Sequence, residues 1–155
     1  MLLSRRAFGL LAVAATVAAC GRSSSSASPS RSNLNPGETP QMRALIRKYA
    51  GIHDIPESLL HRVIQRESNY NPAARNGPYY GLMQILPQTA RTMGYRSTPS
   101  GLLDAETNLK YAGRYLRGAW LVARRNESRA VMWYAKGYYY EAKRRGMLDE
   151  TGLRG

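Results

Sequence analysis

Residues 56–72, Pro56-Glu57-Ser58-Leu59-Leu60-His61-Arg62-Val63-Ile64-Gln65-Arg66-Glu67-Ser68-Asn69-Tyr70-Asn71-Pro72, decide how this chain is read. Pro56 suits the first position of a helix, Glu57 complements the positive helix start, and Pro72 discourages helix beyond Asn71. Leu59, Leu60, Val63, Ile64 and Glu67 recur at spacings of three and four, the period of one helical face. A carboxylate therefore ends a stripe that otherwise packs into a core.

Outward from this helix the pattern stays helical, and no stretch alternates with period two for long enough to argue for a sheet. Upstream, Met42, Leu45, Ile46 and Tyr49 predict a helix over Gln41 to Tyr49 closed by Gly51. Downstream, Pro87 divides a short helical turn near Leu82 to Leu86 from another that ends at Gly94, and residues 95–103 read as loop. Asp104 or Thr107 can cap a long helix with the stripe Leu109, Ala112, Leu116, Ala119, Trp120 and Ala123. Ser128 can cap a last helix carrying Val131, Tyr134, Ala135 and Tyr138, with Gly137 inside it and Gly146 ending it. The expectation is an all-α domain of about five to six helices over residues 40–155, without internal repeat.

The first residues are of another kind. Arg5 and Arg6 precede an uncharged apolar run from Phe8 to Ala19, the layout of an export signal over residues 1–19, too short to span a bilayer comfortably. Ser4-Arg5-Arg6-Ala7-Phe8-Gly9-Leu10 resembles a twin-arginine signal, and Val17-Ala18-Ala19-Cys20 resembles the cleavage site of bacterial lipoprotein signals. Cys20 is the single cysteine, so it forms no intramolecular disulfide, and lipidation explains its place better than packing. Residues 20–39, rich in Ser, Pro and Asn, then read as a tether, because so few apolar side chains cannot offset the entropy of ordering.

The 155 residues suffice for one domain, since a chain of about 150 buries roughly 68–70% of its unfolded surface. The net charge is +13, and loss of residues 1–19 would remove only two of the 23 basic side chains and none of the 10 acidic ones. Such a surface attracts polyanions. Export, dispersed arginines and the lack of a nucleic-acid-binding signature argue against nucleic acid. The one Phe lies in the signal, whereas all 11 tyrosines lie beyond it. Tyrosine suits a wet groove that stacks on sugars, and many of these rings also suit a core.

Glu67 has the setting of a general acid. An unperturbed Glu, with a pKa of about 4.3, is ionised near neutrality, while burial and the negative C-terminal end of a helix both disfavour its charge. Most glycosidases pair two carboxylates. Asp54, Glu57 and Asp104 read as helix-start residues and Glu106 as part of a solvated face, so no partner is evident. Taken alone, Glu67 equally suits a helix-terminal ion pair with Arg62 or Arg66. Its company decides otherwise: the Glu67-Ser68-Asn69-Tyr70-Asn71-Pro72 cluster, then Gly81-Leu82-Met83-Gln84-Ile85-Leu86-Pro87.

These two clusters resemble the core of the lytic transglycosylases of the soluble (SLT) type, related to goose-type lysozyme. The resemblance covers roughly residues 41–140 and implies a compact lysozyme-like helical domain that cleaves the MurNAc-GlcNAc β-1,4 bond of peptidoglycan. It implies Glu67 as the one acid and base, leaving 1,6-anhydro-MurNAc ends, with no metal or organic cofactor. It also implies sugar contacts from Met83 and Gln84, a supporting role for Ser68, and a Tyr134 hydroxyl that contacts the catalytic carboxyl. Two departures stand out. The third block reads Trp133-Tyr134-Ala135-Lys136-Gly137, with Ala135 and Lys136 where the family carries Asn and Ala, and Tyr79 and Tyr80 stand where small residues are common, offering a stacking surface.

The expected partners are glycan strands of peptidoglycan and, through Cys20, a membrane; the expected place is the periplasm, with the outer membrane favoured because Gly21 gives no sign of inner-membrane retention. A monomer is expected, without nucleic acid. A muramidase on the same scaffold and a non-catalytic wall-binding protein are the alternatives.

Overall fold

The computed structural model describes residues 33–154, so the export signal and Cys20 lie outside the described residues. Six α-helices follow in order: α1 (Pro40–His53), α2 (Glu57–Ser68), α3 (Pro87–Thr92), α4 (Ala105–Val122), α5 (Glu127–Lys136) and α6 (Tyr139–Arg144). Between α2 and α3 lies a two-stranded antiparallel hairpin, β1 (Arg75–Asn76) and β2 (Tyr79–Tyr80), and a 3-10 helix (Pro99–Leu103) precedes α4. The domain is all-α apart from this hairpin.

Local chemistry explains where the helices differ from the sequence expectation. Thr39 caps α1 by accepting from the Met42 amide at 3.1 Å, and the helix passes through Gly51 because Asp54, at φ 50°, takes the left-handed cap. Asp104, not Thr107, caps α4, accepting from the Thr107 amide at 2.7 Å. Asn126 caps α5, accepting from the Arg129 amide at 3.0 Å, so the helix starts before Ser128. Gly137, at φ 85°, ends α5 instead of continuing it, since a left-handed backbone there suits glycine. The segment Leu82–Leu86 forms a turn bridged from Tyr80 to Ile85, not a turn of helix.

Helix α4 is the central post, packed against α1 on one side and α5 on the other, with α2 lying across α1 and α5. Its stripe of Leu109, Ala112, Leu116 and Ala119 meets Ile46 of α1, Leu60 and Ile64 of α2, and Leu82, all in one fully buried core. Each buried leucine or isoleucine among them stabilises the fold by about 1.5–3 kcal/mol relative to an exposed one. Among the described residues, no helix is long and apolar enough to cross a membrane.

Contacts begin before Pro40. The Glu38 side chain is fully buried and accepts from Arg43 Nε and Nη2, both at 2.6 Å, while the Asn35 amide donates to it at 2.9 Å. Burial alone would raise the Glu38 carboxyl, but these bonds outweigh it and hold the group below its ordinary range. Residues just before Pro40 thus pack onto α1, because one carboxylate gives the segment an anchor that its composition does not advertise.

Candidate active site

The apolar stripe of α2 drives that helix into the core and brings Glu67, its penultimate residue, to the floor of an open bay of ≈ 740 Å³. Two consecutive left-handed residues, Asn69 (φ 48°) and Tyr70 (φ 65°), then reverse the chain. The Asn71 side chain accepts from the Ala73 amide at 3.0 Å, and the hairpin follows at once. This carries Asn76 and Tyr79 to the rim of the bay, opposite Tyr134 and Ala135 of α5.

The Glu67 side chain is 23% exposed, and burial raises its pKa, with the neighbouring Arg66 charge opposing. Arg66 Nε lies 3.5 Å from Glu67 Oε1, at the edge of hydrogen-bond range, and its side chain is half exposed, so it is no tight ion pair. Arg62 is engaged elsewhere, donating to Glu127 Oε2 at 3.2 Å. Glu67 is the one carboxylate among the residues lining this bay. No group of three or more His, Cys, Asp or Glu side chains among the described residues could hold a metal ion.

Gln84 faces the same bay from a left-handed backbone (φ 48°). Its Nε2 donates to the Ala74 and Gly81 carbonyls at 3.1 and 2.8 Å, which fixes the amide's orientation. The buried Oε1 then has no donor among the described residues. An unpaired buried acceptor costs about 1–3 kcal/mol, and such exceptions call for an explanation from function.

The other expected contacts divide. Tyr134 lines the bay, and its hydroxyl donates to the Met83 carbonyl at 2.8 Å. Burial, then the nearby Glu67 charge, pushes that hydroxyl's pKa well up. Met83 itself is fully buried, so its side chain belongs to the core and its carbonyl is what meets Tyr134. Ser68 donates to the Leu82 carbonyl at 2.7 Å, pinning the end of α2 to the Gln84 turn. The Tyr80 hydroxyl accepts from Arg75 at 2.9 Å, and Tyr79, its neighbour, lines the bay. Alternation along β2 turns the two tyrosines to opposite faces.

Asn108 is a residue that the helical stripe hides. It is fully buried on α4, donates to the Tyr80 and Leu102 carbonyls at 2.9 and 2.8 Å, and accepts from the Met83 amide at 2.9 Å. Every hydrogen-bonding position of its amide but one is thus spent on holding the turn that carries Gln84. A polar residue next to Leu109 in an apolar stripe is the sequence signal that marks it. Gly81 serves the same junction: at φ 75°, a Cβ there would lie 2.1 Å from the Leu102 carbonyl oxygen and 2.4 Å from Asn108 Nδ2.

A helical domain with a lone, partly sequestered carboxylate facing a fixed glutamine matches a known family, that of the transglycosylase SLT domain, over residues 44–146. The chain belongs to that family. It is 36% identical over 81 residues to the soluble lytic murein transglycosylase of Escherichia coli K12, covering 47% of this chain and 12% of the relative. It is 44% identical over 62 residues to the membrane-bound lytic murein transglycosylase C of Histophilus somni strain 2336, covering 36% of this chain and 17% of the relative. The chain thus matches under a fifth of the length of either relative. No solved structure matches it.

Proposed function

We propose that the protein is a peptidoglycan lytic transglycosylase in which Glu67 alone serves as acid and then base. The observation that carries this reading is a single, largely buried carboxyl in a bay whose lining holds no second one, where burial favours its protonated form. Protonated Glu67 donates its hydrogen to the glycosidic oxygen as the MurNAc-GlcNAc β-1,4 bond breaks. The resulting carboxylate takes the hydrogen of the muramyl C6 hydroxyl while O6 attacks the anomeric carbon. The products are a free C4 hydroxyl and a 1,6-anhydro ring; no water is consumed, and Glu67 ends protonated. A single carboxyl suffices because the sugar supplies the nucleophile.

Gln84 Oε1, orphaned and fixed, accepts from an N-H or O-H of the sugar, and Tyr79 gives a ring on which a pyranose packs. Ser68 and Met83 act on this site by positioning the turn rather than by touching the glycan. Both relatives are lytic murein transglycosylases, which supports the same substrate. Export to the periplasm and lipidation of Cys20, with the outer membrane as destination, complete the proposal; globomycin-sensitive processing and loss of membrane attachment in Cys20→Ser test it.

Mass spectrometry of digested sacculi tests the reaction. Anhydro-muramyl ends support it, reducing muramyl ends indicate a hydrolase on the same scaffold, and binding without release indicates a non-catalytic wall protein. In Glu67→Gln, turnover should fall to background; unchanged digestion would remove Glu67 from the mechanism.

A further inference from the structure

The bay at Glu67 does not end at α5. Tyr79, Gln84, Tyr134 and Ala135 are shared with a second bay, which reaches Lys136 and Gly137. Tyr115, Lys136 and Gly137 are in turn shared with a third, floored by Trp133, Tyr138, Tyr139 and Tyr140. Tyr139 and Tyr140 are 46% and 83% exposed and meet edge to face, ring centroids 5.4 Å apart, which leaves an aromatic surface open to solvent. Lys136, the last residue of α5, stands at the wall between the second and third bays, its Nζ 6.0 Å from the Trp133 ring centroid.

Charge distinguishes this position. In the third bay, Glu141 is held by Arg144 at 2.7 and 2.9 Å and also by Arg145, so both guanidiniums there are already engaged by a carboxylate. Lys136 is the one charged side chain lining the second bay, and it has no ion-pair partner among the described residues. A cation left open beside aromatic rings, in a furrow continuous with the reaction site, fits a ligand that brings its own negative charge.

Resting on the peptidoglycan reading above, we infer that Lys136 recognises a carboxylate of the peptide stem that muramyl residues carry, with Trp133, Tyr139 and Tyr140 packing against the stem or the adjoining sugar. The glycan offers no other choice. Its sugars are neutral once the lactyl group is joined to the peptide as an amide, so formal negative charge on an intact strand lies on the stems. Lys136 is thereby a specificity-determining residue: it selects strands with free stem carboxylates over strands in which these are masked.

The test compares the kcat/KM of the full chain on peptide-bearing strands with that on the same strands after chemical amidation of their carboxylates. The parent should prefer the free-carboxylate strands by roughly three- to fivefold, the scale of one partly exposed charge pair, and the preference should shrink as salt rises. In Lys136→Gln the ratio should fall to near one, and in Lys136→Arg it should return. A parent that cleaves both substrates equally well, or a Lys136→Gln variant that keeps the preference, overturns the inference and leaves the peptidoglycan reading standing. A parent that cleaves neither overturns both.

Discussion

The hydroxyl of Tyr134 donates to the backbone carbonyl of Met83 across 2.8 Å, and this bond fastens α5 to the turn that carries Gln84. The tyrosine's hydrogen is therefore committed to the backbone and not to Glu67.

Tyr134→Phe keeps the ring and removes that donor. The Met83 carbonyl is left buried and unpaired, which should cost about 1–3 kcal/mol in denaturant unfolding. Turnover should fall by roughly an order of magnitude as the Gln84 turn loses its tie to α5.

Asn108→Ala should be more damaging to stability, because the Met83 amide and the Tyr80 and Leu102 carbonyls lose their partner together. A loss of about 2–4 kcal/mol is expected, read as a lower Tm. Gly81→Ala should match it, since its Cβ would enter the space of the Leu102 carbonyl.

Arg66 opposes the burial that raises the Glu67 pKa. In the proposed mechanism activity needs Glu67 protonated and so declines as pH rises through that pKa. Removing the positive charge in Arg66→Gln should raise the pKa further and move the descending limb of the pH-rate profile to higher pH. A limb that shifts to lower pH would contradict this electrostatic account.

His53 ties stability to acid. Its Nε2 donates to the Leu109 carbonyl at 3.0 Å, and burial lowers its pKa from the ordinary 6.5. The unfolded imidazole thus takes up its proton at higher pH than the folded one. Stability from this site is present above about pH 6.5 and is lost as pH falls through the window down to the folded value. Tm measured against pH should decline there, and His53→Gln should flatten the slope.

The helical frame was legible because amphipathic stripes are long enough to declare their period: α2 and α4 stand where Leu60, Ile64, Leu109 and Leu116 require burial. The hairpin was not, because two-residue strands such as Tyr79–Tyr80 leave no room for alternation to register. Glu67 and Gln84 come together on one bay, where the motif spacing directs attention. Whether Met83 offers its side chain or its carbonyl depends on which face the turn presents, and Asn108 decides that from a distant part of the chain. Asn126, and not the expected Ser128, caps α5; the two residue types have similar N-cap preference, so geometry and not type separates them.

The buried clasp of Glu38 on Arg43 has a mechanical corollary. Gly37 lies so close to the Asn69 carbonyl that a Cβ would come within 2.7 Å, yet the strong grip is on α1 and not on Asn69. The same segment also reaches α2: Asn35 Nδ2 lies 3.3 Å from His61 Nδ1, which in turn lies 2.9 Å from the Tyr70 hydroxyl, so a pull arriving before Pro40 is shared between α1 and the bend beyond Glu67. The leading edge of the domain is thereby stapled to the stretch that turns the chain away from Glu67, and loosening one would be felt by the other.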